Sequence, residues 1–423
     1  MTTAAIFISL IVLMLLRAPI AIALGLSSVI GLLLSGIDLE IAAQRMLSTN
    51  NSFPLLAIPF FILAGEIMST GGMSRRLVNF AGALVGHLTG GLGAVAILGS
   101  SFFAALSGSN AATVAAIGGI MNQPMEEKGY KPHYTAATIA AAGVTGMIIP
   151  PSILLILYGV VTGISIADLF LAGLLPGIVI CISMLLLNWF LCRRQHIERS
   201  EFQGLPGIWS SFKAALLPLL MPVIILSGIY GGVFTPTEAA IVAVLYGLAV
   251  GFLYRELTIR DLWKAFHKAV LSSAVVMLIM NCAGVFAWLI TINQIPQSIS
   301  AYLADVSGNA TLYLLLVNLF LLFVGCIMNA AAAIVIFTSI LYPAAMSFGI
   351  DPVLFGIIVS VNLSIGTVTP PLGVDLFIAS AITKVPIERI VTMIWPYILV
   401  LLIDLLIITY FPPVSLFLVQ LFG

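Results

Sequence analysis

Charge is what this sequence has least of. Asp, Glu, Lys and Arg make up 8% of its 423 residues, against about 25% in an ordinary soluble domain. Hydrophobic residues reach 61%, where about 45–50% is usual, so the chain reads as an integral membrane protein. Sixteen basic side chains face sixteen acidic ones, and no basic field is left to hold a nucleic acid. Cysteine is scarce: Cys181, Cys192, Cys282 and Cys326 stand in apolar stretches without metal-ligand spacing and read as small core residues. The four histidines, His87, His133, His196 and His267, fall in loops or at span ends, which argues against a transition-metal site or a proton relay. There is no G-x-x-x-x-G-K-[ST] loop for nucleotide hydrolysis, and neither Ser107 nor Ser109 has a histidine at its depth for nucleophilic catalysis. No enzyme constellation is present, so any work must draw on gradients. The apolar segment 1–16 lacks a basic n-region and a small-residue cleavage site, and it is read as a membrane segment. No soluble domain is visible, the longest polar stretch being 192–213.

What is present is a series of long apolar runs. A helix needs roughly 20 such residues to cross about 30 Å of hydrocarbon. That rule predicts ten crossings, at 3–16, 19–35, 52–69, 135–160, 169–192, 214–231, 236–254, 270–292, 353–380 and 391–412. Two further runs, 92–121 and 312–343, are too long for one span and carry polar residues at their centres. Bent there, each arm of about 14–16 residues reaches only about 21–24 Å, as in a re-entrant hairpin.

Charge placement agrees with this layout, because cytoplasmic loops collect Lys and Arg. With the N-terminus outside, one face receives Arg17, Arg75, Arg76, Lys128, Lys131, Arg193, Arg194, Arg199, Lys213, Arg255, Arg260, Lys264, Lys268, Lys384 and Arg389, and only Arg45 falls on the other. Both termini are then expected on the extracytoplasmic side. The halves also match. At an offset of 220, Gly129 pairs with Gly349, Pro132 with Pro352, Gly146 with Gly366, Pro150 with Pro370, Pro151 with Pro371 and Pro176 with Pro396. Chance supplies about 0.7 such identities over this stretch, so an internal repeat is implied. Five crossings plus one hairpin per half is an odd count, so the repeats are inverted in the membrane. The expected fold is thus an all-α polytopic protein with inverted repeats, and this arrangement points to a secondary transporter with its site at the midplane.

Four segments are candidates for that site: the first hairpin tip, Ser107 to Thr113; the break Gly146 to Ser152; the second tip, Cys326 to Ala331; and the break Gly366 to Gly373. Paired prolines in mid-span remove backbone donors and free carbonyls of the preceding turn. Lining a polar cavity, such carbonyls are hard ligands for Na⁺, joined by the hydroxyls of Ser107, Ser109 and Thr369 and the amide oxygens of Asn110 and Asn329. Helix N-termini at the tips and breaks suit an anionic group. Cation and acid in one site suggest symport, with Asn110, Thr145, Asn329, Thr367 and Asp375 as candidate substrate contacts. Small and hydroxylated residues also mediate helix packing, and a proline kink can be only a kink; finding hairpin and break in the same order twice favours the site. Among acids at membrane depth, Asp375 is the best placed for a site role. Glu238 reads as a helix N-terminal charge capped by Thr235 or Thr237, Glu66 lies near a cytoplasmic end, and Asp404 near the outer interface.

Three motifs in order, P-M-E-E-K-G-Y-K-P (Pro124 to Pro132), G-V-F-T-P-T-E-A-A (Gly232 to Ala240) and N-L-S-I-G-T-V-T-P-P-L-G-V (Asn362 to Val374), resemble the large membrane subunit of tripartite ATP-independent periplasmic (TRAP) transporters, the DctM family. The resemblance covers essentially the whole chain. It implies a bacterial inner-membrane, Na⁺-coupled importer of organic acids such as C4-dicarboxylates or sialic acids, working with a small four-helix membrane subunit and a periplasmic binding protein. It also implies an elevator, in which 92–192 and 301–423 form a moving transport domain while 1–91 and 193–300 form a scaffold. Carried over by position, Ser107, Gly108, Ser109 and Asn110 with Gly146 to Pro150 make one Na⁺ site, and Met328, Asn329 and Ala330 with Gly366, Thr369 and Pro370 the other. One departure stands out: the family commonly has an acid at the second tip, where this chain has Asn329. Two other readings stay open: a stand-alone Na⁺- or H⁺-coupled carboxylate transporter of the same fold, and a structural subunit that holds partners without binding substrate.

Overall fold

The computed structural model describes residues 2–16, 18–193, 202, 204–299 and 307–422; Arg17, Arg194, His196 and Arg199 lie outside the described residues. The first half runs α1 (Thr2–Leu15), α2 (Ile20–Leu34), α3 (Glu40–Asn50), a 3₁₀ turn (Phe53–Leu56), α4 (Ala57–Thr70), α5 (Met73–Val85), α6 (Gly91–Ser107), α7 (Asn110–Glu127), α8 (Pro132–Gly143), a second 3₁₀ turn (Val144–Met147), α9 (Ile153–Thr162) and α10 (Ile166–Cys192). The second half runs α11 (Gly204–Tyr230), α12 (Pro236–Leu253), α13 (Ile259–Ile292), α14 (Ala310–Ile327), α15 (Ala330–Ser347), α16 (Pro352–Gly366), α17 (Val374–Thr383), α18 (Ile387–Tyr410) and α19 (Pro413–Phe422). Among the described residues, eight helices are long and apolar enough to cross a membrane. These are the segment ending in α4, then α10 to α15, and α18.

The expected segments fall on these helices with instructive differences. The run 135–160 is not one helix. It is α8, the second 3₁₀ turn, an unwound stretch and then α9; likewise 353–380 divides into α16, a turn-rich break and α17. The arms of the first hairpin have 17 and 18 residues, and both arms of the second have 18. At 1.5 Å per residue each is about 26–27 Å long, longer than the sequence-based estimate. Three amphipathic or short helices, α3, α5 and α19, fall between or after the expected crossings.

The repeat is visible in the element boundaries. Shifted by 220, α7 begins and ends where α15 does, α6 ends where α14 does, and α8 begins where α16 does, on Pro132 and Pro352. Proline at a first helical position suits its fixed φ and missing N–H. Pro150–Pro151 and Pro370–Pro371 are both cis. Glycine lets each break reach its own tip. A Cβ on Gly146 would run into the Ser109 carbonyl, and one on Gly366 into the backbone of Gly325.

Packing sorts the helices into two groups. α1, α2, α4, α11, α12 and α13 pack on one another, while α6 to α10 and α14 to α18 pack on one another, with α6 on α4 and α5 and α15 on α13 between the groups. Within the second group the halves interlock, since α17 lies on α7 and α9 lies on α15. Thr235 accepts from the Glu238 N–H at 3.3 Å while Glu238 accepts from the Thr235 N–H at 2.8 Å, the reciprocal box that starts α12. Thr237 is not the cap; its hydroxyl donates to the Phe53 carbonyl at 3.0 Å. Arg76 pairs with Glu256 at 2.7 Å and covers the Tyr254 ring, tying α5 to the segment between α12 and α13.

Close backbone approach at the breaks makes a stability prediction. Gly366→Ala and Gly146→Ala should each cost about 1–3 kcal/mol, the range for overpacking. Gly119→Ala, where a Cβ meets nothing within 4 Å, should be neutral or mildly stabilising. Thermal unfolding of the detergent-solubilised chain reads the difference, and equal effects at all three positions would contradict it.

Candidate functional site

The first tip is a two-residue reversal. α6 stops because Gly108 turns left-handed (φ 63), and Ser109 is extended so that its side chain accepts from the Ala112 N–H at 3.4 Å, capping α7. Below this cap three oxygens gather: Ser107 Oγ lies 3.0 Å from Thr113 Oγ1, and Thr113 Oγ1 donates to the Ser109 carbonyl at 2.8 Å. The first break closes on the tip, because the Ile153 N–H donates to the Gly108 carbonyl at 3.3 Å. Ser152 caps α9 by accepting from the Leu155 N–H at 3.4 Å, and its own hydroxyl donates to the Met147 carbonyl. Gly146 and Pro150 are buried in this unwound stretch. Thr145 is fully buried too, and its hydroxyl is spent within its own turn on the Ala142 carbonyl at 2.8 Å.

The second tip has the same outline with fewer hydroxyls. Met328 is extended, and Asn329 caps α15 by accepting from the Ala331 N–H at 2.9 Å. Asn329 is exposed, whereas Ala330 is buried. At the positions matching Ser107 and Thr113 stand Ile327 and Ala333. In the second break Thr369 donates to the Ile365 carbonyl at 2.8 Å, and Gly366 and Pro370 flank it.

The structure makes one connection that sequence spacing does not suggest. Asn110, at the start of α7, donates from Nδ2 to Thr367 Oγ1 at 2.8 Å, across 257 residues of chain. Thr367 carries one hydroxyl proton and has two acceptors at 2.6 Å, the Ser364 carbonyl and Asp375 Oδ2. The Asp375 N–H returns to the Thr367 carbonyl at 3.0 Å. Asn110 and Asp375 are 0% and 1% exposed, and Oδ1 of each has no hydrogen-bond partner. Asp375 has no Lys or Arg partner among the described residues. All three residues are among the substrate contacts expected from the sequence, but their pairing across the two halves has no signal in it.

Tips and breaks share one cavity of about 380 Å³. Ser107, Gly108 and Ser109 line it from the first tip, Asn329, Ala330 and Ala331 from the second, Met147 and Ile153 from the first break, and Thr367 and Asp375 from the second. The opposite wall is Ile62, Gly65 and Glu66 of α4 with Ser272 and Val276 of α13, so the cavity lies between the two helix groups. Glu66 is 3.9 Å from Lys268. Among the described residues, no Lys, Arg or His lines the cavity. Its polar atoms are hydroxyls, amides, carbonyls and two carboxylates, hard oxygen donors of the kind that suits a small alkali or alkaline-earth cation and not a soft metal. Asp404 is buried between α18 and α10, where Ser183 donates to it at 2.5 Å.

Comparison with known proteins places this geometry in a family. Residues 7–414 match the DctM component of the tripartite ATP-independent periplasmic transporter. The chain is 43% identical to the uncharacterized protein YgiK of Salmonella typhimurium, over 96% of this chain and 94% of that one. It is 40% identical to the C4-dicarboxylate TRAP transporter large permease protein DctM of Pseudomonas aeruginosa, over 93% and 92%. It is 38% identical to the sialic acid TRAP transporter large permease protein SiaM of Vibrio cholerae, over 92% of each. Among solved structures it is similar to the Alcanivorax borkumensis YdaH transporter, at 15% identity and a TM-score of 0.67 over 89% of this chain and 90% of that one, which is a likeness of fold.

The shared hydroxyl of Thr367 makes the trio sensitive to one change. Thr367→Val should leave both the Asn110 amide and the Asp375 carboxylate short of a partner, at about 1–3 kcal/mol per buried group. Thr145→Val, which removes a bond within one helix, should cost less. Denaturation midpoints of the two variants side by side decide this, and a larger loss in Thr145→Val would count against the trio.

Proposed function

The chain belongs to the DctM family of TRAP transporter large permease subunits, and from that premise we propose that it imports a small organic acid across the bacterial inner membrane together with Na⁺. The single observation that supports this most is the cavity into which both hairpin tips and both breaks converge, walled on its other side by α4 and α13. An organic acid there meets no cationic side chain, so its charge has to be balanced otherwise. Helix N-termini supply part: α7, α15 and α17 all begin on the cavity wall. Bound Na⁺ supplies the rest, held in one site by the first tip and first break and in another by the second tip and second break.

These two sites are unequal. The first has Ser107, Ser109 and Thr113 within hydrogen-bonding reach of one another; the second depends on Thr369, the Asn329 amide and backbone carbonyls. The energy is sufficient. Each positive charge crossing 100 mV contributes about 2.3 kcal/mol, and each tenfold gradient about 1.4 kcal/mol. Two Na⁺ with a monovalent acid carry one net charge inward.

Movement is of the elevator type. The helices bearing tips and breaks slide as a body against α1, α2, α4 and α11 to α13, and loading the cavity with cation and acid together lowers the charge carried through the hydrocarbon. Both termini lie in the periplasm. A small four-helix membrane subunit and a periplasmic binding protein complete the transporter, and the substrate is a carboxylate of the C4-dicarboxylate or sialic acid type, as the names of the relatives suggest.

Reconstituted in proteoliposomes with its partners, the transporter should require external Na⁺ and run faster when the interior is made negative. Ser107→Ala and Thr369→Ala should each raise the Na⁺ concentration for half-maximal uptake by several-fold, the first more than the second. Uptake that continues unchanged in K⁺ medium would defeat the Na⁺ reading.

A further inference from the structure

Symmetry makes the trio of Asn110, Thr367 and Asp375 conspicuous. The two Na⁺ sites of the proposed function pair each tip with the break of its own half. The trio instead pairs the tip of the first half with the break of the second. Its counterparts at the repeat offset are Ala330, Met147 and Leu155, so the equivalent crossing on the other side is apolar. One crossing between the halves is polar, charged and open to the cavity, and its twin is greasy.

A buried carboxylate without a cationic neighbour is costly. The other carboxylate on the cavity wall, Glu66, has Lys268 at 3.9 Å; Asp375 has the Thr367 hydroxyl and no basic partner among the described residues. Two oxygens are left without partners, Oδ1 of Asp375 and Oδ1 of Asn110. Each is on the free fork of a group whose other fork is held by the same Thr367 oxygen. Both are hard donors, one carrying negative charge; Asp375 and Thr367 line the cavity, and Asn110 is buried behind Thr367.

We propose that Asp375 and Asn110 form a third cation site, between the halves, that takes Na⁺. This rests on the Na⁺-coupled reading and extends it: the cation bound here neutralises the cavity-lining carboxylate that has no basic partner among the described residues. It leaves a positive face toward the cavity, where the acid group of the substrate comes to lie. Cation and acid then enter as a pair at this end of the cavity, and Asp375 does not touch the substrate directly.

The test is Na⁺ binding by the purified full-length chain in nanodiscs, read as ²²Na⁺ bound per chain and as the Na⁺ dependence of its thermal midpoint, with K⁺ as the balancing ion. Wild type should respond to Na⁺. Asp375→Asn keeps the size and both forks of the side chain; it should bind one Na⁺ fewer and shift the most sensitive part of the Na⁺ response by at least about tenfold, about 1.4 kcal/mol. Asn110→Ala, which spares the carboxylate, should shift it in the same direction by less, and serves if Asp375→Asn does not fold. A wild type that responds while both variants keep its stoichiometry and midpoint overturns the third site and leaves the Na⁺ reading intact. A wild type that binds no Na⁺ overturns both. Unchanged Na⁺ stoichiometry, with a stabilisation on acidification in K⁺ medium that Asp375→Asn abolishes, overturns the cation site in favour of a proton on Asp375.

Discussion

In hydrocarbon, a backbone N–H or C=O that loses its helical partner has no water to turn to, and the architecture around the cavity follows from that constraint. Each point where a helix stops in mid-chain is closed by a specific partner. Ser109, Ser152 and Asn329 cap the helices that follow them. The second break has no side-chain cap at Gly373 and closes instead through the Asp375 N–H and the Thr367 carbonyl. The first break borrows a carbonyl from the first tip, Gly108. Tips and breaks therefore cannot be arranged independently. Glycine at 146, 325 and 366 permits the close backbone contact that this mutual satisfaction needs, and the residual polar capacity, lone pairs on carbonyls and hydroxyls, is what remains available to a cation.

Duplication explains the frame, and divergence explains the chemistry. The element boundaries of α7 and α15 coincide at the repeat offset, as expected when one folding unit is used twice. The polar groups do not coincide. Ser107 and Thr113 of the first tip become Ile327 and Ala333, and Asn110 becomes Ala330. In exchange, the second break has Thr367 and Asp375 where the first has Met147 and Leu155. Because α17 packs on α7 while α9 packs on α15, these substitutions collect on one side: the polar tip faces the polar break, and the apolar tip faces the apolar break. The resulting pattern is one asymmetric polar junction between the halves, set in a symmetric frame.

The parts of this arrangement that were legible in the sequence are those governed by local rules. Hydrophobic length located the crossings, the Ser107 to Asn110 and Met328 to Asn329 interruptions located the tips, and Pro-Pro pairs located the breaks, because each acts within a few residues. The break lengths were less legible: an apolar run such as 135–160 has the composition of one crossing, and only the geometry after Val144 shows that it winds, opens and winds again. The partner of Asp375 was not legible at all. Which hairpin α17 rests on is a tertiary fact, and the 257 residues between Asn110 and Thr367 carry no local signal of their meeting. Cap choice likewise needed the structure, since Thr235 and Thr237 both suit an N-cap by type and only one has the extended backbone for it.

The position of the cavity relative to the two helix groups then bears on how it can be emptied and filled. Its far wall, at Gly65, Glu66, Ser272 and Val276, belongs to helices that do not carry a tip or a break. Gly65 permits close approach, with the Ser107 Cα 3.1 Å from where a Cβ would stand, tighter than an ordinary van der Waals contact. A small residue there makes a smooth track and no interdigitating knob, which is what sliding of one body past another requires, whereas the contacts within the tip-bearing group are held by hydrogen bonds across the halves. On the elevator reading proposed above, the tip-bearing group moves as one body with its polar junction intact, and contacts between the groups such as the Tyr230 hydroxyl on the Ala167 carbonyl at 3.2 Å have to break. On that same proposed reading the cavity contents travel with the group, and the Asp375 carboxylate with them, so balancing its charge before the group moves would set the cost of crossing the hydrocarbon.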